Sequence, residues 1–110
     1  MHVDLWNANC GHCHNDTTDG VPQVDMHLWL RIDQTTVEAT SAYLTAVGQP
    51  NDIFNDQNVT ARIEPGNPQA SAVWFRMNER GNNGQMPPLA SEVVDGAGVA
   101  AVESWITSLP

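Results

Sequence analysis

Lysine is absent from this 110-residue chain, and the whole basic complement is four arginines, Arg31, Arg62, Arg76 and Arg80. Against 13 acidic residues this leaves a formal charge of −9. A field of that sign repels phosphate backbones and anionic lipid, so nucleic-acid binding and attachment to a membrane surface are disfavoured. No apolar run approaches the length of a membrane span, and no membrane insertion is expected. The opening Met1-His2-Val3-Asp4 has no Lys or Arg and no apolar stretch, so it is not a secretory signal. The expectation is a chain whose signal has been removed, or a piece of a larger exported protein. Internal repeats are lacking too. Charged residues are only 15% and hydrophobic residues 41%, which suits one small folded domain over residues 1–110.

Cysteine is almost as scarce, with two residues, both in Cys10-Gly11-His12-Cys13-His14. A disulfide across so short a loop would constrain little of the unfolded chain. Three chemistries compete for the motif. Covalent haem attachment uses C-x-x-C-H, because one helical turn brings both sulfurs to one side and the next residue supplies an imidazole to the iron. A dithiol redox site would use the same CGHC. A zinc site would use Cys10, Cys13, His12 and His14. The dithiol needs a preceding strand within a βαβ pattern. Only nine residues precede Cys10, and none of them form a strand-like run. Zinc sites of this kind draw a second ligand pair from further along the chain. The only other histidines are His2 and His27. Haem is the expected cofactor. His12, between the two cysteines, is expected to face solvent.

A haem electron carrier usually takes a second axial ligand. Met86 stands in Gly84-Gln85-Met86-Pro87-Pro88-Leu89, and its two following prolines give it stiff, non-helical backbone. Met77 is the main rival, but it falls in register with Val73 and Trp74 and reads as core. Met26 and His27 flank a strand-like segment. Buried haem propionates need donors. Arg62, Arg76 and Arg31 are candidates, with the indole N–H groups of Trp29 and Trp74. The Pro22 carbonyl is a candidate acceptor for the His14 imidazole.

The order of these parts resembles a class I-type bacterial cytochrome c domain, of the kind found in exported and often multidomain proteins. Cys10–His14 is followed by Gly20-Val21-Pro22. Arg62-Ile63-Glu64-Pro65-Gly66-Asn67-Pro68 then runs through Trp74-Phe75-Arg76-Met77 to Met86-Pro87-Pro88-Leu89-Ala90, Val94-Asp95-Gly96 and Ser104-Trp105-Ile106. The resemblance spans nearly the whole chain. It implies an all-α cytochrome c fold of three to four short helices around one haem c. That haem would be linked to Cys10 and Cys13, with His14 and Met86 as axial ligands. It also implies an electron carrier rather than an enzyme, located in the periplasm or otherwise outside the cytoplasm. Its partner would be a redox protein or a fused redox domain, and the charge of −9 favours one that presents a basic docking patch. The alternatives are a thiol-disulfide oxidoreductase and an open-site haem enzyme or sensor.

The periodicities predict a brief helix over residues 2–9 and a loop over 15–25. Strand-like alternation covers 27–33 (Leu28, Leu30, Ile32) and 59–63 (Val59, Ala61, Ile63), two runs expected to pair as a small sheet. Thr35 and Glu38 have capping-box spacing for a helix that Gly48 ends. Residues 49–58 read as an acidic, Asn-rich loop. Asn67 and Pro68 start a helix with Val73, Trp74 and Met77 buried, which Gly81 stops. A last helix spans about 96–108, with Val99, Val102, Trp105, Ile106 and Leu109 on one face. The four tryptophans are expected in the core rather than as electron relays. The haem is expected to complete that core, so the apo chain should fold poorly.

Overall fold

The computed structural model describes residues 3–16, 25–51, 58–88 and 91–110. Among these the chain is helical, with four α-helices and only isolated β-bridges. None of the helices is long and apolar enough to cross a membrane. The chain divides into two compact units, Met1–Val47 and Gly48–Pro110.

The first unit holds α1, Val3–Asn9, and α2, Ser41–Ala46. α1 exists where the sequence predicts it and buries Trp6 completely. Residues 27–33 are a correction. They form no bridge and no strand. Leu28 is buried, but Ile32 is fully exposed. His27, Trp29 and Leu30 are all half-buried, so burial does not alternate, and the N–H groups of Leu28 and Leu30 find two separate partners. Leu28 N–H donates to the His14 carbonyl at 2.7 Å, and Leu30 N–H donates to Asn7 Oδ1 at 2.8 Å. A loop carbonyl and a side chain take the place of a partner strand.

α2 starts later than the capping box at Thr35 and Glu38 predicts. Its N-cap is Thr40, whose Oγ1 accepts from Tyr43 N–H at 3.1 Å and donates to the Val37 carbonyl at 2.6 Å. Thr40 is buried, whereas Thr35 and Glu38 are exposed. A hydroxyl that meets both a donor and an acceptor out of water outcompetes one that water can satisfy. Gly48 follows at φ +70°, a conformation that side chains resist.

The second unit holds a short 3-10 turn, Pro68–Ala70, then α3, Ala72–Asn78, and α4, Gly96–Ser108. Val59, Ala61 and Ile63 are all buried, as their alternation predicts. Their pairing is again different from the expected sheet. Ala61 bridges Pro50 antiparallel and Ser71 parallel, so the run pairs with segments close to it in sequence. α4 matches its predicted span. Asp95 caps it by accepting from Gly98 N–H at 3.0 Å, and Val99, Val102, Trp105 and Ile106 are buried. α3 packs on α4, and both touch the 3-10 turn. Trp74 Nε1–H donates to Glu103 Oε2 at 3.1 Å across the two helices. Val73, Trp74 and Met77 are half-buried rather than core. The buried part of α3 is its first turn, where Ala72 follows the fully buried Ser71.

Ser71 organises the approach to α3. Its hydroxyl accepts from Glu64 N–H at 2.8 Å and donates to the Asn67 carbonyl at 2.9 Å. Gly66, at φ +78°, donates its N–H to the Ile106 carbonyl at 2.9 Å. Removing the buried hydroxyl strands the Glu64 N–H, while the Asn67 carbonyl keeps the Ala70 N–H at 3.2 Å. Ser71→Ala is therefore expected to lower unfolding free energy by about 1–3 kcal/mol. Denaturant unfolding checks this, and an unchanged midpoint would contradict the role given to Ser71.

Candidate functional site

The Cys10–His14 segment is a single turn continuing past α1. Cys10 and Gly11 N–H groups both donate to the Trp6 carbonyl, at 2.7 and 2.9 Å, which ends the helix in a turn widened by one residue. Cys13 N–H and His14 N–H then both donate to the Cys10 carbonyl, at 3.1 and 2.9 Å. That second closure is helical in spacing. It sets Cys10, Cys13 and His14 at i, i+3 and i+4, on one side of one turn. Asn15 Nδ2 holds the turn from beyond, donating to the Gly11 carbonyl at 2.7 Å and the His12 carbonyl at 3.2 Å.

Exposure sorts the motif. His14 is buried, at 8% of its full exposure, while His12 and Cys13 are exposed and Cys10 is half-buried. The two cysteines are not joined in a disulfide. Burial pushes the Cys10 thiol from an ordinary 9.0 up to about 11, and repulsion from Cys13 adds to it. Cys10 also follows the C-terminal end of α1, the negative end of the helix dipole. Both effects oppose the thiolate that dithiol chemistry requires. Gly11 explains the small residue inside the motif. A Cβ there would stand 3.0 Å from the Asn7 carbonyl oxygen and 3.1 Å from Trp29 Cβ.

In the second unit Met86 is half-buried in a loop that its neighbours hold on all sides. Met86 N–H donates to the Arg76 carbonyl at 3.0 Å. Arg76 Nε–H donates to the Gly84 carbonyl at 2.9 Å. Arg80 Nη1–H reaches the Met86 and Met77 carbonyls, each at 3.3 Å. Gln85 Oε1 accepts from Gly81 N–H at 2.9 Å, and its Nε2 donates to the Pro87 and Ser91 carbonyls at 2.9 and 3.0 Å. The Met86–Pro87 peptide is cis. Burial lowers the Arg76 guanidinium pKa below its ordinary value.

The remaining expected site residues are dispersed. Arg62 is half-buried between Ala61 and Ile63, and its carbonyl accepts from Val73 N–H at 3.1 Å. Arg31 is exposed, stacked 5.7 Å over the Trp29 ring and beside Asp16 at 3.7 Å. The Trp74 indole is already engaged by Glu103. His27 Nε2 sits 2.9 Å from Asp25 Oδ1. Pro22 lies outside the described residues. The sequence reading missed Arg80, Gln85 and Asn15 as loop anchors. The four-residue spacing of Arg76 and Arg80 just ahead of the Gly81–Gly84 turn was the available signal.

These residues fit a covalent haem. Two thiols and a buried imidazole share a side of one turn. In the second unit, taken by itself, the Met86 backbone is tied to α3, whose Val73, Trp74, Phe75 and Met77 are only half-buried, although Ile63, Val102 and Ile106 have no exposure. A soft sulfur and an imidazole are the donors that low-spin haem iron takes. Among the described residues no group of three or more His, Cys, Asp or Glu side chains gathers as an ion site.

Gly11→Ala is expected to destabilise the protein by about 1–3 kcal/mol, the usual range for overpacking. Gly96→Ala, whose Cβ meets open space at the start of α4, should be neutral or stabilising by up to about 1 kcal/mol. Paired thermal unfolding curves test the contrast, and equal effects would contradict the close approach at Gly11.

No protein-family model matches the chain, and no curated protein or solved structure matches it.

Proposed function

We propose that this chain is a monohaem c-type cytochrome with the cytochrome c fold, carrying single electrons outside the cytoplasm. The observation that supports this best is the turn closed by His14 N–H on the Cys10 carbonyl, with two thiols on the side of a buried imidazole. Cys10 and Cys13 would hold one haem c through two thioethers, and His14 and Met86 would ligate its iron. Arg62 and Arg76 are the cations offered to the propionates.

When bound, the haem supplies a one-electron couple between ferric and ferrous iron. The chain's own residues set how that couple behaves. The soft thioether of Met86 favours the ferrous state. The hydrogen-bonded turn and the pinned loop hold both ligands in place, so little rearranges as an electron arrives from a reduced redox protein and leaves to an oxidised one. The charge of −9 favours a partner with a basic docking patch. The dithiol alternative is the weaker reading, because Cys10 is positioned and buried in ways that suppress its thiolate.

The full chain, expressed with export and haem-maturation machinery, tests this reading. The oxidised protein should show the weak near-infrared sulfur-to-iron band of methionine ligation. Met86→Ala should abolish the band and Met77→Ala should retain it. Loss of the band in Met77→Ala instead, or its absence from the wild type, would overturn the ligand assignment.

A further inference from the structure

We propose that Arg76 is a positioning residue that keeps Met86 on the iron by clamping the Gly84–Met86 loop, an inference that rests on the haem reading above. One residue grips that loop at two points. Its carbonyl accepts from Met86 N–H at 3.0 Å, and its Nε–H donates to the Gly84 carbonyl at 2.9 Å. The grip comes from the last turn of α3, a helix packed on α4, so the loop is tied to the unit's core.

Other contacts complete the restraint. Gly84 N–H donates to Asn82 Oδ1 at 2.7 Å, and Arg80 reaches the Met86 carbonyl at 3.3 Å. Both polar backbone groups of Gly84 and of Met86 are thereby engaged within the chain, and none depends on a metal bond.

The chemistry makes this restraint consequential. A thioether is a neutral, soft ligand, and ferric iron accepts imidazole or hydroxide readily in its place. What favours Met86 is that the chain presents it at high effective concentration. Loosening the loop lowers that concentration. Arg76 acts here through the backbone and does not need to touch the iron.

The test is imidazole titration of the oxidised holoprotein, read by loss of the near-infrared band. Arg76→Leu keeps the main-chain bond to Met86 and removes the side-chain donor. Imidazole should then displace Met86 about tenfold more readily, the scale of one lost charge-assisted hydrogen bond. Arg76→Lys keeps the charge and a flexible donor, and should fall between wild type and Arg76→Leu. If Arg76→Leu does not accumulate with haem, Arg76→Gln takes its place with the same expected direction. Wild-type imidazole affinity in the charge-removing variant overturns the clamp, even if its reduction potential shifts, since a propionate role alone gives that pattern. Wild-type protein without covalent haem overturns the haem reading and the clamp together, so the two failures are distinct.

Discussion

The hydrogen bond from His14 N–H to the Cys10 carbonyl is the constraint on which the site depends. At 2.9 Å it closes a helical turn at the point where α1 has already ended on the Trp6 carbonyl. Without that closure Cys10, Cys13 and His14 would be three separate side chains on a loop. With it, they share a side, and the buried His14 ring is held where its neighbours His12 and Cys13 are exposed. The extended segment after the motif reinforces this, since Leu28 N–H donates to the His14 carbonyl. The second unit supplies a different kind of order. Met86 follows a glycine-rich turn, where the backbone has many accessible states. Side chains from α3 and from the loop itself remove that freedom.

Burial and helix polarity bear on the choice among chemistries. A redox dithiol needs a stabilised thiolate, usually at a helix N-terminus. Cys10 is instead half-buried past a helix C-terminus, next to a second thiol. Those conditions are unfavourable for thiolate attack and are no obstacle to a thioether, which carries no charge. The acidic surface is compatible with either chemistry, and so says more about the partner than about the cofactor.

Much of this was legible in the sequence, for reasons that can be named. α4 was readable because the helical spacing of Val99, Val102, Trp105 and Ile106 runs over its whole length. α1 was readable from Trp6 and its neighbours. The turn at Cys10–His14 was readable because the spacing alone sets its three side chains at i, i+3 and i+4. The strands were misread because alternation does not say what the backbone pairs with, and over 27–33 it does not hold for burial either, since Ile32 is fully exposed. Leu28 and Leu30 satisfy their N–H groups on a carbonyl and an asparagine, and Ala61 pairs near its own position. The start of α2 was misread because Thr35 and Thr40 are equivalent caps until burial separates them. The anchoring role of Arg80 was signalled only by its spacing from Arg76, and that of Gln85 by nothing, because its partners are backbone groups that every residue has. Pro22 falls outside the described residues.

The most direct test of the central claim is the intact mass of the full chain after export alongside haem-maturation proteins. Covalent attachment at Cys10 and Cys13 requires a gain of one haem per chain that survives denaturation, with no thiol left to alkylate. The mass of the bare chain with two alkylatable thiols, from cells that mature a control cytochrome, would contradict it.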